Sequence, residues 1–212
     1  MKFVVITTLF MLCNLMEMHA RVVPHDSIGN DNKRTFLSYG SFGMGFGTRG
    51  GAIGMGYTFV TSNNWGYNIS MKTSMVKSKD TPPDYFSDGH RTFSPKDYLN
   101  ILSFNAVIEL PIPESTMRFG IESGLSWVRY GIAEIEPNPA YDPVNGSWWY
   151  GSYYKYHKSH FSRNTLGLAL KAKMEFLPGR HFGFDLSVFS NLNPVKSLVG
   201  MEFTINFGKV RD

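Results

Sequence analysis

The sequence has almost no cysteine and no recognisable metal or phosphate motif. Its single cysteine, Cys13, lies in an N-terminal segment that we expect to be removed, so the mature chain would hold no thiol and no disulfide. His25, His90 and His181 follow no metal-ligand spacing, and no phosphate-binding glycine loop is present. These absences exclude thiol-based redox chemistry. We expect no metal site and no cofactor.

A helical period of useful length is also missing, whereas glycine and aromatic residues are abundant. The chain of 212 residues contains 21 Gly, 17 Phe and 11 Tyr. This combination favours β structure, and the length suits one domain.

The N-terminus reads as a targeting segment. Residues 1–20 begin with Lys2, continue as an apolar run of about ten residues and end on Ala20, which is typical of a cleaved signal peptide and too short to span a bilayer. The alternative is lipidation of Cys13, but Leu12 stands where such signals prefer a small residue. Residues 21–34 are polar and predict a flexible lead-in.

The rest of the chain is organised by strict alternation of apolar and polar residues. In the run 197–207, Val199, Met201, Phe203, Ile205 and Phe207 alternate with small or polar residues, which is the pattern of a half-buried strand. Eight such runs lie between residues 35 and 207, and residues 208–212 form a short tail. The longest polar interruptions are residues 76–96 and 131–160, which we predict to be loops.

Alternation alone does not tell whether the apolar face lies inside or outside a barrel. About thirty-five large apolar side chains occupy these faces, more than the narrow lumen of an eight-stranded barrel can hold. The opposite faces are rich in Gly, Ser and Asn. The apolar face should therefore contact lipid, and closure is then required because lipid cannot satisfy an open edge. The alternative, a secreted β-sandwich, needs apolar faces that pack inward.

The turns agree with a membrane barrel. Short turns at residues 62–63, 111–116 and 177–180 fall at one end, and the two long loops fall at the other. Short periplasmic turns with long extracellular loops are the arrangement of outer-membrane barrels.

In the last strand, Gly200-x-x-Phe203-x-Ile205 resembles the signal that small outer-membrane barrels of the OmpA and OmpX type present to the barrel assembly machinery. The pattern of the whole mature chain resembles this group too. Two departures are that residues 208–212 follow the final aromatic and that Leu198 stands at a usually polar position. The resemblance implies an all-β, eight-stranded antiparallel up-and-down transmembrane β-barrel in a Gram-negative outer membrane. Its implied partners are outer-membrane lipid, lipopolysaccharide and, during biogenesis, the assembly machinery.

The lumen-facing positions carry charges of both signs. Because buried unpaired charges are costly, we expect a paired plug, with Glu109 beside Arg118 and Lys171 across from Asp185. The alternative is a path for protons or ions. The predicted network comprises Lys72, Glu109, Arg118, Glu122, Arg163, Lys171, Lys173, Glu175, Asp185 and Glu202.

The second long loop is unusually aromatic. Such residues could bind an extracellular ligand as rigid anchors, or they could form the outer aromatic girdle of the barrel. Nothing in this pattern favours nucleic acid. The residues are Trp148, Trp149, Tyr150, Tyr153, Tyr154 and Tyr156.

His160 and Ser162 resemble, over three residues, the His-x-Ser pair of outer-membrane lipid A deacylases. A carboxylate is needed to orient the histidine, and Glu175 has the opposite face parity. We therefore predict no catalytic residue and a non-enzymatic barrel that acts in envelope integrity or in surface binding through loops 76–96 and 131–160. A lipid A-modifying enzyme is the alternative, and a small-solute channel is the third possibility.

Overall fold

The computed structural model describes residues 36–79, 81–82, 95–113, 115–137 and 156–211. All of them belong to one unit, Arg34–Asp212, whereas the other unit, Met1–Lys33, lies outside the described residues. The predicted signal peptide at 1–20 and lead-in at 21–34 therefore lie outside them too. Most of loops 76–96 and 131–160 is likewise not described.

The described chain is a closed barrel of eight strands in sequence order, and each strand is antiparallel to both neighbours. This confirms the predicted eight-stranded antiparallel up-and-down barrel. In the described residues, no helix is long and apolar enough to cross a membrane. The strands are β1 Leu37–Gly47, β2 Gly50–Val60, β3 Trp65–Lys77, β4 Lys96–Pro111, β5 Met117–Pro137, β6 Tyr156–Phe176, β7 Phe182–Leu192 and β8 Leu198–Lys209.

At the seam between the first and last strands, a glycine makes room for a charged side chain in the lumen. Gly43 on β1 lies opposite Thr204 on β8, and the carboxylate of Glu202 fills the space above it. A Cβ atom at Gly43 would lie 2.6 Å from Glu202 Oε1. The small residue therefore leaves room for the charged side chain in the lumen.

Burial is inverted relative to a soluble protein. Outward apolar residues are exposed, for example Leu166 at 72% and Leu125 at 69%, whereas Glu175 and Glu109 are 0% and 1% exposed. The alternation seen in the sequence thus places apolar side chains on the outer wall and polar side chains in the lumen.

Strands β5 and β6 extend further than the sequence pattern indicates. The prediction that residues 131–160 form a loop is wrong at both ends, because β5 continues to Pro137 and β6 begins at Tyr156. Beyond Gly131 and Leu168 these strands pair with each other but not with β4 or β7, so they form a projecting hairpin. Because this hairpin lies beyond the closed barrel, its two faces need not separate apolar from polar side chains, and its sequence lacks strict alternation.

Candidate functional site

The lumen near the short-turn end holds a dense group of ion pairs, which we call the lower ion cluster: Tyr39, Glu109, Arg118, Lys173 and Glu175. Arg118 contacts Glu175 at 2.5 Å and Glu109 at 2.9 Å. Lys173 Nζ contacts Glu175 at 3.0 Å and Glu109 at 3.1 Å. The Tyr39 hydroxyl donates to Glu109 at 2.5 Å and accepts from Lys173 at 2.9 Å. Each buried charge therefore faces opposite charge, which offsets its desolvation.

A second group, the middle ion cluster, comprises Lys72, Lys171, Asp185 and Glu202. Lys72 Nζ lies 2.7 Å from Glu202 and 3.1 Å from the centroid of the Phe189 ring. Lys171 Nζ lies 3.7 Å from Asp185 and 3.9 Å from Glu202. Glu122 links the two clusters, because it contacts Lys173 at 3.2 Å and lines the same cavities as Lys72 and Lys171.

The structure brings nine of the ten predicted lumen charges together in these two clusters and Glu122. Glu109 and Arg118 are in contact, as the turn register suggested. Asp185 lies opposite Glu175 in register, so Lys171 reaches it diagonally along the wall and not directly across.

Arg163 does not belong to the network, and this part of the prediction is wrong. It is exposed and its guanidinium carbon lies 5.3 Å from the centroid of the Phe161 ring. The physical reason is that β7 ends opposite Leu168, so Arg163 stands on the projecting hairpin above the closed barrel. Parity places Arg163 on the same face of β6 as the lumen residues. It does not tell that the closed barrel ends before this residue.

Two small cavities lie beside the middle ion cluster, and both are lined by Ser70, Lys72, Glu122 and Lys171. Each has room of about 40 Å³. Because a water needs about 10–15 Å³ measured in this way, each can hold a few waters and no larger solute. The geometry of the described lumen is that of a polar plug with room for a few waters.

An apolar layer separates the ion clusters from the loop end of the barrel. Sequence reasoning missed this layer, although β4 gives a signal, since Leu99 and Ile101 add apolar residues to the face opposite Leu102 and Phe104. The buried residues are Ala52, Leu99, Ile101, Val128, Tyr130, Phe189 and Leu198. The described lumen is therefore closed by ion pairs near one end and by apolar packing near the other.

A third polar group lies at the base of the projecting hairpin. Asp97 accepts hydrogen bonds from the Tyr130 hydroxyl at 3.0 Å and from the backbone N–H of Ala133 at 3.1 Å. Lys196 Nζ lies 3.8 Å from Asp97 and donates to the Tyr130 hydroxyl. Asp97 is 6% exposed, so this group fixes β5 to β4 and to the turn before β8.

His160 and Ser162 lie on the projecting hairpin, opposite Ala133 and Gly131 of β5. The His160 ring packs near Tyr98, with ring centroids 6.0 Å apart. Within the described ranges, no carboxylate forms a hydrogen bond or ion pair with His160, so the geometry there does not assemble a triad. Nor do the described residues contain a group of three or more side chains that could hold a metal ion.

The predicted ligand-binding aromatics Trp148, Trp149, Tyr150, Tyr153 and Tyr154 lie outside the described residues. Tyr156 is the first residue of β6 and is half-buried.

No protein-family model matches the chain, and no curated protein matches it. Solved structures do match. The N-terminal β-barrel domain of OprF from Pseudomonas aeruginosa shares 10% identity, covers 82% of this chain and 98% of its own, and superposes with a TM-score of 0.52. Neisserial surface protein A shares 11% identity over 82% of this chain and 95% of its own, with a TM-score of 0.48. The OprF match supports the fold of small eight-stranded outer-membrane barrels.

Proposed function

We propose that this barrel spans the outer membrane as a non-enzymatic protein with a plugged lumen, and that it acts in envelope integrity or in surface binding. The observation that carries the proposal is the inversion of burial: exposed apolar side chains surround a lumen filled with paired charges. Membrane insertion removes the outer apolar surface from water, and only a closed barrel or a helix satisfies its own backbone there.

The size of the apolar wall supports insertion. Strands β1, β2 and β7 have 11 residues each. At about 3.3 Å per residue and a tilt of about 45°, such strands span roughly 25 Å, the height of the lipid-facing band of outer-membrane barrels. A water-soluble monomer rarely exposes so large a continuous apolar surface.

The closed lumen favours a scaffold over a conduit. In the described lumen, cavities of about 40 Å³ lie between the lower ion cluster and the apolar layer. Function would then lie on the outer wall and in the long loops at 76–96 and 131–160, which the rigid barrel would hold at the cell surface. Proposed partners are outer-membrane lipid and lipopolysaccharide, the assembly machinery during biogenesis, and an extracellular ligand of the loops.

The test is to express the chain in a Gram-negative host, fractionate the envelope and run boiled and unboiled samples on a gel. Closed membrane barrels resist unfolding in detergent, so we expect outer-membrane localisation and a mobility shift between the two samples. A soluble periplasmic protein without a shift would refute the proposal.

A further inference from the structure

The outer wall of the barrel is not uniform at its loop end. On β3, β4 and β5 the outward face changes from apolar to cationic towards the loops. The next outward position after Met75 on β3 is Lys77, the next after Trp127 on β5 is Arg129, and β4 begins at its loop end with Lys96. All three cations are exposed. We call Lys77, Lys96 and Arg129 the wall patch.

Strand register places these residues in one sector of the wall. Lys77 and Lys96 are direct partners across β3 and β4. Arg129 lies opposite Asn100 of β4 and Asn164 of β6, and Asn100 accepts a hydrogen bond from Thr73 on β3 at 3.0 Å. Arg129 thus has polar neighbours and lies directly above an apolar row that contains Leu102, Trp127 and Leu166. Lys77 and Lys96 lie closer to the loops, one outward position beyond Met75 and Tyr98.

The opposite wall provides the contrast. No outward residue of β7, β1 or β2 is charged, and none of β8 is charged from Val199 to Phe207. In the described part of the β3–β6 wall above the apolar row, no outward position is acidic, and no described carboxylate forms an ion pair with the wall patch. Glu134 and Glu136 share the face parity of Tyr130, which faces the lumen.

Two lysines that face each other directly are unfavourable in an isolated sheet. Here they remain side by side, unpaired by any described acid, one outward position beyond Met75 and Tyr98 at the loop end of the wall. A group that carries negative charge at the membrane surface would convert this repulsion into attraction. Arginine is especially suited to this role, because its planar donors bind phosphate oxygens in pairs.

We propose that the wall patch binds the phosphate of an anionic lipid headgroup, and that the barrel therefore selects its lipid neighbours on the β3–β5 side. This inference rests on the proposed function, because the patch meets headgroups only when the barrel is inserted. The lipid chains pack against the apolar row, and headgroup phosphates lie against Arg129 and against the pair Lys77 and Lys96. The uncharged wall of β7 to β2 has no such preference.

Trp127 provides a local reporter, since it is 58% exposed and precedes Arg129 on the same face by two residues. The chain has four tryptophans, so W65F/W148F/W149F leaves Trp127 alone. The barrel is reconstituted in phosphatidylcholine vesicles, and quenching of Trp127 by brominated phosphatidylglycerol is compared with quenching by brominated phosphatidylcholine. We expect stronger quenching by the anionic lipid. A K77Q/R129Q variant should lose the preference by about fivefold for each charge removed.

Three controls make the result specific. R180Q/R211Q removes two exposed cations at the short-turn end and should leave the preference at Trp127 unchanged. Trp65 as the sole reporter, at the short-turn end of β3, should not respond to K77Q/R129Q. Added inorganic phosphate should not displace the lipid, because the ligand is a headgroup held in the membrane plane.

Equal quenching by the two lipids, or equal losses in the test and control variants, would overturn the inference. Displacement by inorganic phosphate would overturn the assignment to a lipid. These failures differ from failure of the proposed function, in which the wild-type barrel would not insert into neutral vesicles and would show no heat-dependent mobility shift. Lipid selectivity is read only from protein that passes that insertion test.

Discussion

Arg118 and Glu175 face each other in register on β5 and β6 and form an ion pair of 2.5 Å in the lumen. Glu175 is also 3.0 Å from Lys173, so one carboxylate is in contact with two cations. Glu109 contacts the same two cations from β4. The lower ion cluster therefore ties three consecutive strands together inside the barrel, and its members depend on each other for their burial.

Removal of the Glu175 charge should be strongly destabilising. In Glu175→Gln the side chain keeps its size, but Arg118 and Lys173 lose one of the two carboxylates that contact them both, and of these two only Glu109 remains. Breaking a buried pair costs about 3–5 kcal/mol because the remaining charge stays buried. The measurement is urea unfolding in detergent micelles or vesicles, followed by tryptophan fluorescence.

Glu134→Gln is the matched control, since Glu134 is exposed on the projecting hairpin. It should change the free energy of unfolding by no more than about 0.5 kcal/mol. Equal effects of the two substitutions would show that the lumen network does not stabilise the fold.

The seam should tolerate no side chain at Gly43. Gly43→Ala would place a Cβ 2.6 Å from Glu202 Oε1 and 2.8 Å from Thr204 Oγ1. Glu202 would have to move away from Lys72, which it contacts at 2.7 Å. We expect a loss of about 1–3 kcal/mol in the free energy of unfolding, the usual effect of overpacking.

Gly40→Ala tests whether the effect is specific to the lumen. Gly40 lies on the same strand with the opposite parity, and a Cβ there would meet nothing closer than 3.9 Å. The barrel should unfold at nearly the wild-type urea concentration. If Gly40→Ala is as harmful as Gly43→Ala, the cause lies in glycine's backbone and not in the crowding by Glu202.

The sequence predicted the barrel because the same two-residue period governs both faces of every strand. Outward side chains must be apolar, and lumen-facing side chains must be small or polar. Alternate positions from Val199 to Phe207 could therefore be assigned to the outer face, and Glu109 and Arg118 to the lumen, by parity alone. Parity does not determine height, which is why Arg163 was placed in the lumen. It also hides exceptions such as Tyr39, Leu99 and Ile101, because their partners come from strands far away in the chain. Strand register predicts which charged side chains face the lumen together. Only the interatomic distances show which carboxylate contacts which cation.

The lumen should not conduct ions. We expect no single-channel steps from the wild-type barrel in planar bilayers, because the lower ion cluster and the apolar layer flank cavities of only about 40 Å³ in the described lumen. The double variant F189A/L198A removes two members of the apolar layer but leaves the lower ion cluster in place. It should also remain silent. Steps from the wild-type protein would favour the channel function, and steps from the variant alone would show that the apolar layer closes the lumen.

The projecting hairpin should depend on Asp97 more than the barrel does. Asp97 accepts from the Tyr130 hydroxyl and from the Ala133 N–H, and it lies 3.8 Å from Lys196. Asp97→Ala removes these contacts at once and leaves the buried Ala133 N–H without its acceptor, which costs about 1–3 kcal/mol. Because the lower and middle ion clusters are unchanged, the loss should be local. Hydrogen exchange by mass spectrometry should show faster exchange in residues 131–137 and unchanged protection in β1, β7 and β8.

Thr165→Ala is the control for the hairpin, since within the described residues its hydroxyl donates a hydrogen bond only to the neighbouring backbone carbonyl of Leu166, in an exposed position. Exchange in residues 131–137 should then be that of the wild type. Uniformly faster exchange throughout the Asp97→Ala barrel would mean that the contacts of Asp97 stabilise the whole fold. The hairpin and the barrel would then unfold as one cooperative unit, and loops carried by the hairpin could not move without opening the barrel.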